Sequence, residues 1–255
     1  MAQLPSTFGI IPARYGSTRF PGKPLADILG KPMFWHVWDR ASRCPLLTSV
    51  VVATDDDRVM WAAEELGVPC VMTRFDHESG TDRVMEAARA LRVSSNALVV
   101  NIQGDEPLLE PSVLTRLLEP FSSAEVMATT PVVRISSDEA RNPDLVKAVF
   151  DANRRALYFS RALVPYPRDG EGEEFFGHIG IYAFRMKTLE TFVSLGAGRL
   201  ERTEKLEQLR LLENGIPIHV VETDFRSVGV DRPEDIREVA AILSESGKGA
   251  MPGHV

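Results

Sequence analysis

The sequence predicts a Rossmann-like α/β fold, a mostly parallel sheet flanked by helices, with an antiparallel insertion in its second half. Two observations carry this. Through residue 133, short β-branched runs alternate with segments of helical apolar spacing, and unbroken runs of that kind suit strands covered on both faces. From residue 134 to about 190 the alternation gives way to strand following strand, before a last strand and helix close the chain. A chain of 255 residues, 44% hydrophobic and 25% charged, can bury a large core of this type.

The elements follow in order. FGIIPA (8–13) reads as the first strand. MFWHVWDRA then places Phe34, Val37, Trp38 and Ala41 on one helix face. SVVVAT (49–54) is a buried strand, and Val59, Ala62, Ala63 and Leu66 mark a helix stopped by Gly67. PCVMT precedes a helix carrying Val84, Ala87, Ala88 and Leu91. ALVVNIQ (97–103) precedes one carrying Leu114, Leu117, Leu118 and Phe121. EVMATTPVV (125–133) completes this first part, 1–133. Within 134–190, VKAVFDANRRALYFSRALVPYPRD reads as strand, turn and strand, and GHIGIYAF (177–184) as one more strand after a Gly/Glu-rich loop. This insertion is expected to cover a site or to make a dimer contact. Residues 191–245 return to the main domain through the helices KTLETFVSL and TEKLEQLRLLENG, the strand IPIHVVET and the helix RPEDIREVAAIL. Residues 246–255 are expected to form a disordered tail.

Composition narrows the function. A net charge of -7 argues against general binding to nucleic acid or to anionic membranes, so cationic loops stand out. Cys44 and Cys70 have no metal-like spacing and make no disulfide scaffold. The opening MAQLPSTFGIIPAR lacks a basic segment followed by a long apolar run, and no apolar run approaches spanning length, so a cytoplasmic location is expected.

Parallel α/β sheets bind ligands at the carboxyl ends of their strands, and four polar loops fall at such ends. PARYGSTRFPGKP holds Arg14, Arg19 and Lys23 beside Gly16, Ser17 and Gly22. Cations and close-approaching backbone N–H groups are what a triphosphate needs, although a solvated basic turn has the same composition. It is not a P-loop: five residues separate Gly16 from Gly22, and Pro24 stands where a magnesium-binding hydroxyl belongs. NIQGDEP offers Asp105 and Glu106, either as magnesium ligands or as the start of the next helix. VGVDRPEDI offers Asp231, which either binds metal or forms a capping box with Glu234. TRFDHESGTDR crowds Arg74, Asp76, His77, Ser79 and Arg83 ahead of a helix, to grip a base and ribose or to cap that helix through Ser79 or Thr81. A fifth acidic run, TDDD, presents Asp55 and Asp57 as a D-x-D metal pair, or as acids serving a helix N-terminus.

Seven blocks, IIPARYGSTRFPGKPL, TRFDHESGTDR, NIQGDEP, LYFSRALVP, HIGIYAFR, LEQLRLLENG and GVDRPED, run in order from about residue 8 to 240. Together they resemble the 3-deoxy-manno-octulosonate (Kdo) cytidylyltransferases, which have a Rossmann-like nucleotidyltransferase fold. The resemblance implies a magnesium-dependent transfer of CMP from CTP to Kdo, with pyrophosphate released, for lipopolysaccharide synthesis in the cytoplasm by a homodimer. It implies Arg14, Arg19 and Lys23 on the triphosphate and Arg74, Ser79 and Gln103 on the cytidine. It further implies Asp105 and Asp231 on magnesium, and Arg161, His178, Tyr182, Glu207 and Gln208 on the sugar. One departure is Gly177, where the family often carries a basic residue. Three other readings stand beside this one: a related ulosonic acid (8-amino-Kdo or a sialic-like acid), a glycosyltransferase built on Asp55 and Asp57, and a non-catalytic nucleotide-binding protein.

Overall fold

FGIIP enters the sheet as β1 (Thr7–Pro12), followed by a small hairpin of β2 (Asp27–Ile28) and β3 (Lys31–Pro32). The computed structural model describes residues 4–16, 20–77, 79–169 and 174–248. Helix α1 (Met33–Ser42) leads to β4 (Ser49–Thr54), α2 (Asp57–Glu65) to β5 (Cys70–Met72), and α3 (Gly80–Ala90) to β6 (Leu98–Asn101). β1 lies between β4 and β6, parallel to both, and β5 extends the sheet parallel to β4. Alternation along β1 sends Ile11 into a core with Phe34, Val37, Val52 and Val100, and Ile10 into a second core with Val84, Ala88 and Val99 on the other face. Both faces are therefore covered, as the unbroken apolar runs predict.

The second half departs from a set-apart insertion. After α4 (Pro111–Leu118) come β7 (Ala128–Ile135), α5 (Ser137–Ala140), β8 (Lys147–Phe150), β9 (Ala156–Ser160), β10 (Phe175–His178) and β11 (Tyr182–Arg185). All five strands join the main sheet, in the order β5-β4-β1-β6-β11-β7-β10-β8-β9. The expected single strand GHIGIYAF is thus two, both antiparallel to β7 along one edge. Beyond them β11 bonds β6 and β10 bonds β8, so the sheet forks where the two strands join. The bend is a three-residue turn around Gly180, closed by Ile181 N–H donating to Ile179 O at 2.8 Å.

The chain closes through α6 (Met186–Ser194), α7 (Arg199–Glu204), α8 (Leu209–Glu213), β12 (Ile218–Thr223) and α9 (Asp235–Lys248). β12 takes the other edge of β7 in parallel. TEKLEQLRLLENG is not one helix. Lys205, with φ at 56°, ends α7 in the left-handed region, and Leu206–Gln208 turn before α8 begins. Of the expected tail, residues 246–248 continue α9, and 249–255 lie outside the described residues.

Candidate active site

Lys23 is delivered to the sheet's carboxyl edge by a closed loop. Gly22 N–H donates to Tyr15 O at 3.0 Å, and Gly22 takes φ of 74°, a conformation glycine adopts without cost. Lys23 Nζ then donates to Asp105 Oδ2 at 2.7 Å and to Val230 O at 2.5 Å, with Asp231 Oδ1 at 3.8 Å. The two acids proposed from sequence for one ion therefore meet at one ammonium. Glycine permits the approach on the Asp105 side: a Cβ at Gly104 would stand 2.5 Å from Pro12 O.

Neither acid is a helix cap. Glu110 and Pro111 open α4, well beyond Asp105 and Glu106. The capping box expected of Asp231 and Glu234 does not form. Asp235 instead accepts from the backbone N–H groups of Asp231 and Arg232, each at 2.8 Å. This leaves the Asp231 carboxylate turned toward Lys23. Glu106 is buried and accepts from Ser227 Oγ, while its Oε2 has no protein partner. Burial, with a smaller push from Asp105, raises its carboxyl to about 7.

These groups edge a cavity of about 240 Å³ lined by Arg14, Lys23, His77, Ser79, Gly80, Arg83, Gln103, Asp105 and Asp231 among others. Ser17 and Arg19 lie outside the described residues; Gly16 is exposed in the same loop. Ser79 caps α3, accepting from Asp82 N–H at 3.1 Å, and also faces the cavity, so the capping and binding readings coexist. Arg74 does not line this cavity. It is largely exposed beside Asp76 and Glu86, in a neighbouring hollow. His77 lines both and is paired with Glu86. Asp55 is committed elsewhere: it accepts from Arg83 at 2.7 Å and from Tyr15 N–H at 3.3 Å. Asp56, not Asp57, caps α2. The D-x-D pair is thus a strut for the Arg14–Gly16 loop and a helix start.

None of the sugar candidates lines this cavity. The His178 ring packs against Phe159 and Tyr182, with centroids 5.0 and 5.4 Å away. Burial pushes its imidazole down to about 3 and raises the Tyr182 phenol well above its usual range. His178 Nε2 is 2.9 Å from Thr130 Oγ1, which lies 2.8 Å from Ile181 O. A hydroxyl has one hydrogen, and a carbonyl can only accept it, so His178 carries its proton on Nε2. The left-handed break at Lys205 puts Glu207 and Gln208 in a turn rather than on a helix face. Glu207 Oε1 accepts from Thr81 Oγ1 at 2.8 Å, and burial raises its carboxyl. Arg161 bonds the last residue of α7, donating to Glu204 O at 2.9 Å, and donates to Pro143 O at 3.2 Å. Gln103 links the two regions: it lines the cavity, and its Nε2 donates to Gly180 O at 2.9 Å.

Asn101 was passed over in the sequence. It is fully buried, donates from Nδ2 to Thr81 Oγ1 at 3.1 Å and leaves Oδ1 without a protein partner. The signal was an amide inside the apolar run ALVVNIQ. Gly177 faces away from this cluster: a Cβ there would meet Ile135 at 3.0 Å and Leu145 at 3.4 Å, opposite His178 across the strand.

Comparison with known proteins identifies the family. A sequence profile described as cytidylyltransferase matches residues 8–223. A 3-deoxy-manno-octulosonate cytidylyltransferase of Nitratidesulfovibrio vulgaris is 59% identical over 94% of this chain and 96% of its own. An 8-amino-3,8-dideoxy-manno-octulosonate cytidylyltransferase of Shewanella putrefaciens is 47% identical over 93% of this chain and 98% of its own. A solved structure of CMP:2-keto-3-deoxy-manno-octonic acid synthetase complexed with CTP superposes with a TM-score of 0.90 at 42% identity, covering 94% of this chain and 99% of that one.

Proposed function

The chain belongs to the 3-deoxy-manno-octulosonate cytidylyltransferase family, and from that premise we propose that it transfers CMP from CTP to Kdo with release of pyrophosphate, in the cytoplasm and for lipopolysaccharide synthesis. The observation that carries the reading is the convergence of Asp105 and Asp231 on Lys23 at the edge of a cavity that also holds Arg14. Lys23 and Arg14 offset the charge of the departing pyrophosphate. Ser79 and Gln103 position the nucleoside, with Arg74 at the mouth of the adjoining hollow.

The two carboxylates suit magnesium. They come from separate loops to one position now filled by an ammonium, and two carboxylates plus substrate phosphates are how magnesium is commonly held. Asp105 and Asp231 would hold the ion, which when bound would offset phosphate charge and help orient the phosphates. Positioning and electrostatics then carry the reaction, with the sugar hydroxyl as nucleophile and no covalent protein intermediate.

For the acid sugar, three buried polar atoms without protein partners support the assignment of His178, Tyr182, Glu207 and Gln208. They are Asn101 Oδ1, Glu207 Oε2 and Gln208 Nε2, and vicinal hydroxyls can satisfy both kinds. Arg161 is the cation assigned to the sugar's carboxylate, because His178 is neutral. We read the assembly as a homodimer. Leu157 on the outermost strand β9 and Tyr166 beyond it, 63% and 80% exposed, support an apolar contact; a purely monomeric sedimentation profile would refute it.

The deciding experiment couples pyrophosphate release to a phosphate readout, with CTP, magnesium and a panel of 2-keto-3-deoxy acids that includes Kdo and 8-amino-Kdo. Turnover is expected with Kdo, and Asp105→Ala and Asp231→Ala are each expected to lose at least ~10³-fold in kcat while still folding. Full activity in either variant removes the metal assignment. Preference for the 8-amino acid reassigns the substrate but not the chemistry.

A further inference from the structure

Three side chains from three elements form one hydrogen-bonded line. Asn101, at the end of β6, donates to Thr81, in the first turn of α3, and Thr81 donates to Glu207, in the turn between α7 and α8. Thr81 and Asn101 are fully buried. Helix capping does not account for Thr81, because Ser79 already accepts from the Asp82 N–H. Nor does local satisfaction, because the line ends on two polar atoms, Asn101 Oδ1 and Glu207 Oε2, that the protein leaves unpaired. Buried acceptors without partners are rare in native folds, and here two flank one hydroxyl.

We propose that Thr81 and Asn101 are positioning residues that hold one oxygen of Glu207 so that the other is aimed at the acid sugar, tying the sugar turn to the helix whose first residues edge the nucleotide cavity. This rests on the reading of Glu207 as a sugar-binding residue. A glutamate in an irregular turn has three rotatable bonds, and a buried hydroxyl donating to Oε1 removes most of that freedom before substrate arrives. The line runs through Thr81, two residues after Ser79 and one after Gly80, both of which line the cavity. The seat of the sugar is therefore built partly from the nucleotide half.

Five proteins test this: wild type, Thr81→Val, Glu207→Gln, the double variant, and Thr81→Ser as rescue. Loss of a hydrogen bond to a carboxylate predicts that Thr81→Val raises KM for Kdo about tenfold, with CTP affinity by calorimetry in magnesium unchanged within about twofold. Thr81→Ser is expected to restore KM. Because Thr81 acts through Glu207, the double variant is expected to match Glu207→Gln within about twofold rather than multiply the two effects. If Glu207→Gln raises KM for Kdo but Thr81→Val does not, or if the effects multiply, the positioning role is wrong and the sugar assignment stands. If Glu207→Gln leaves KM for Kdo unchanged, the sugar assignment itself is wrong, and this role falls with it. Should Thr81→Val not fold, Asn101→Ser cuts the other end of the line and carries the same non-multiplying expectation.

Discussion

Acidification should cost this protein stability through His178, and the size of the cost follows from its surroundings. The ring is held between Phe159 and Tyr182, and burial moves its titration from 6.5 to about 3. In the unfolded chain an ordinary imidazole titrates near 6.5. Between these values the unfolded state carries a proton that the native state lacks. Stability therefore rises with pH across the window and is lost as pH falls from 6.5 toward 3. From pH 7 to pH 5 the loss amounts to about 2 kcal/mol, an upper bound because the residue keeps a partly open edge. Urea unfolding of wild type and His178→Gln at both pH values measures it. Carboxylates elsewhere titrate in both proteins, so the difference between the two pH dependences isolates the imidazole. Wild type is expected to lose up to about 2 kcal/mol more than the variant. Equal losses, or an NMR titration of His178 centred near 6.5, would refute the reasoning. The same neutrality decides what His178 offers a ligand: with its proton on Nε2 and given to Thr130, it presents a lone pair on Nδ1 and no charge.

Other perturbations separate the roles of neighbouring charges. Lys23→Met leaves Asp105 and Asp231 facing each other. Both are partly solvated, at 34% and 64% side-chain exposure, so the stability cost without divalent ions is expected to be only about 1 kcal/mol. Its kcat is expected to fall about 10²–10³-fold for want of a cation at the leaving group; a variant within twofold of wild type would exclude Lys23 from the chemistry. Asp55→Asn leaves the buried Arg83 guanidinium short of a charge partner and should cost about 3 kcal/mol in chemical unfolding, with metal dependence unaltered. Loss of metal binding at full stability would instead favour the glycosyltransferase reading. Gly177→Arg places a Cβ against Ile135 and is expected to cost about 1–3 kcal/mol from overpacking, while KM for Kdo stays within about twofold; a larger change in KM would put residue 177 back among the specificity determinants.

The parallel half was legible because its rules are local. Apolar runs, helical spacing and stop residues each act within a dozen positions, and FGIIPA, SVVVAT and ALVVNIQ became β1, β4 and β6. The second half was harder because its strands are set by partners far away in the chain. Nothing within GHIGIYAF announces that its first half bonds Lys147 and its second half bonds the strand at Asn101. The break at Lys205 was equally hidden, since TEKLEQLRLLENG has unbroken helical composition and only tertiary contacts hold a lysine at positive φ. Among site residues, the loops gave the acids and cations, but local chemistry could not choose between capping and binding for Asp231. That choice lay with Asp235, whose carboxylate accepts from the Asp231 and Arg232 N–H groups.

The same long-range pairing that obscured the second half also joins the cavity to the residues proposed for the sugar. A purely parallel sheet offers one carboxyl-end crevice. Here β11 enters between β6 and β7 in the opposite sense, which brings Tyr182 level with Asn101 and sets the turn at Gly180 beside Gln103. The loop carrying Gln103 and the turn between His178 and Tyr182 thereby share a hydrogen bond, and the Thr81 line adds a second connection. Had β11 lain at a sheet edge, the Gln103–Gly180 bond would vanish, and only the Thr81 line would tie Glu207 to the helix that edges the cavity. Placing an antiparallel strand inside the parallel sheet is thus the structural step that brings the residues proposed for the sugar up to the loop proposed for the nucleotide.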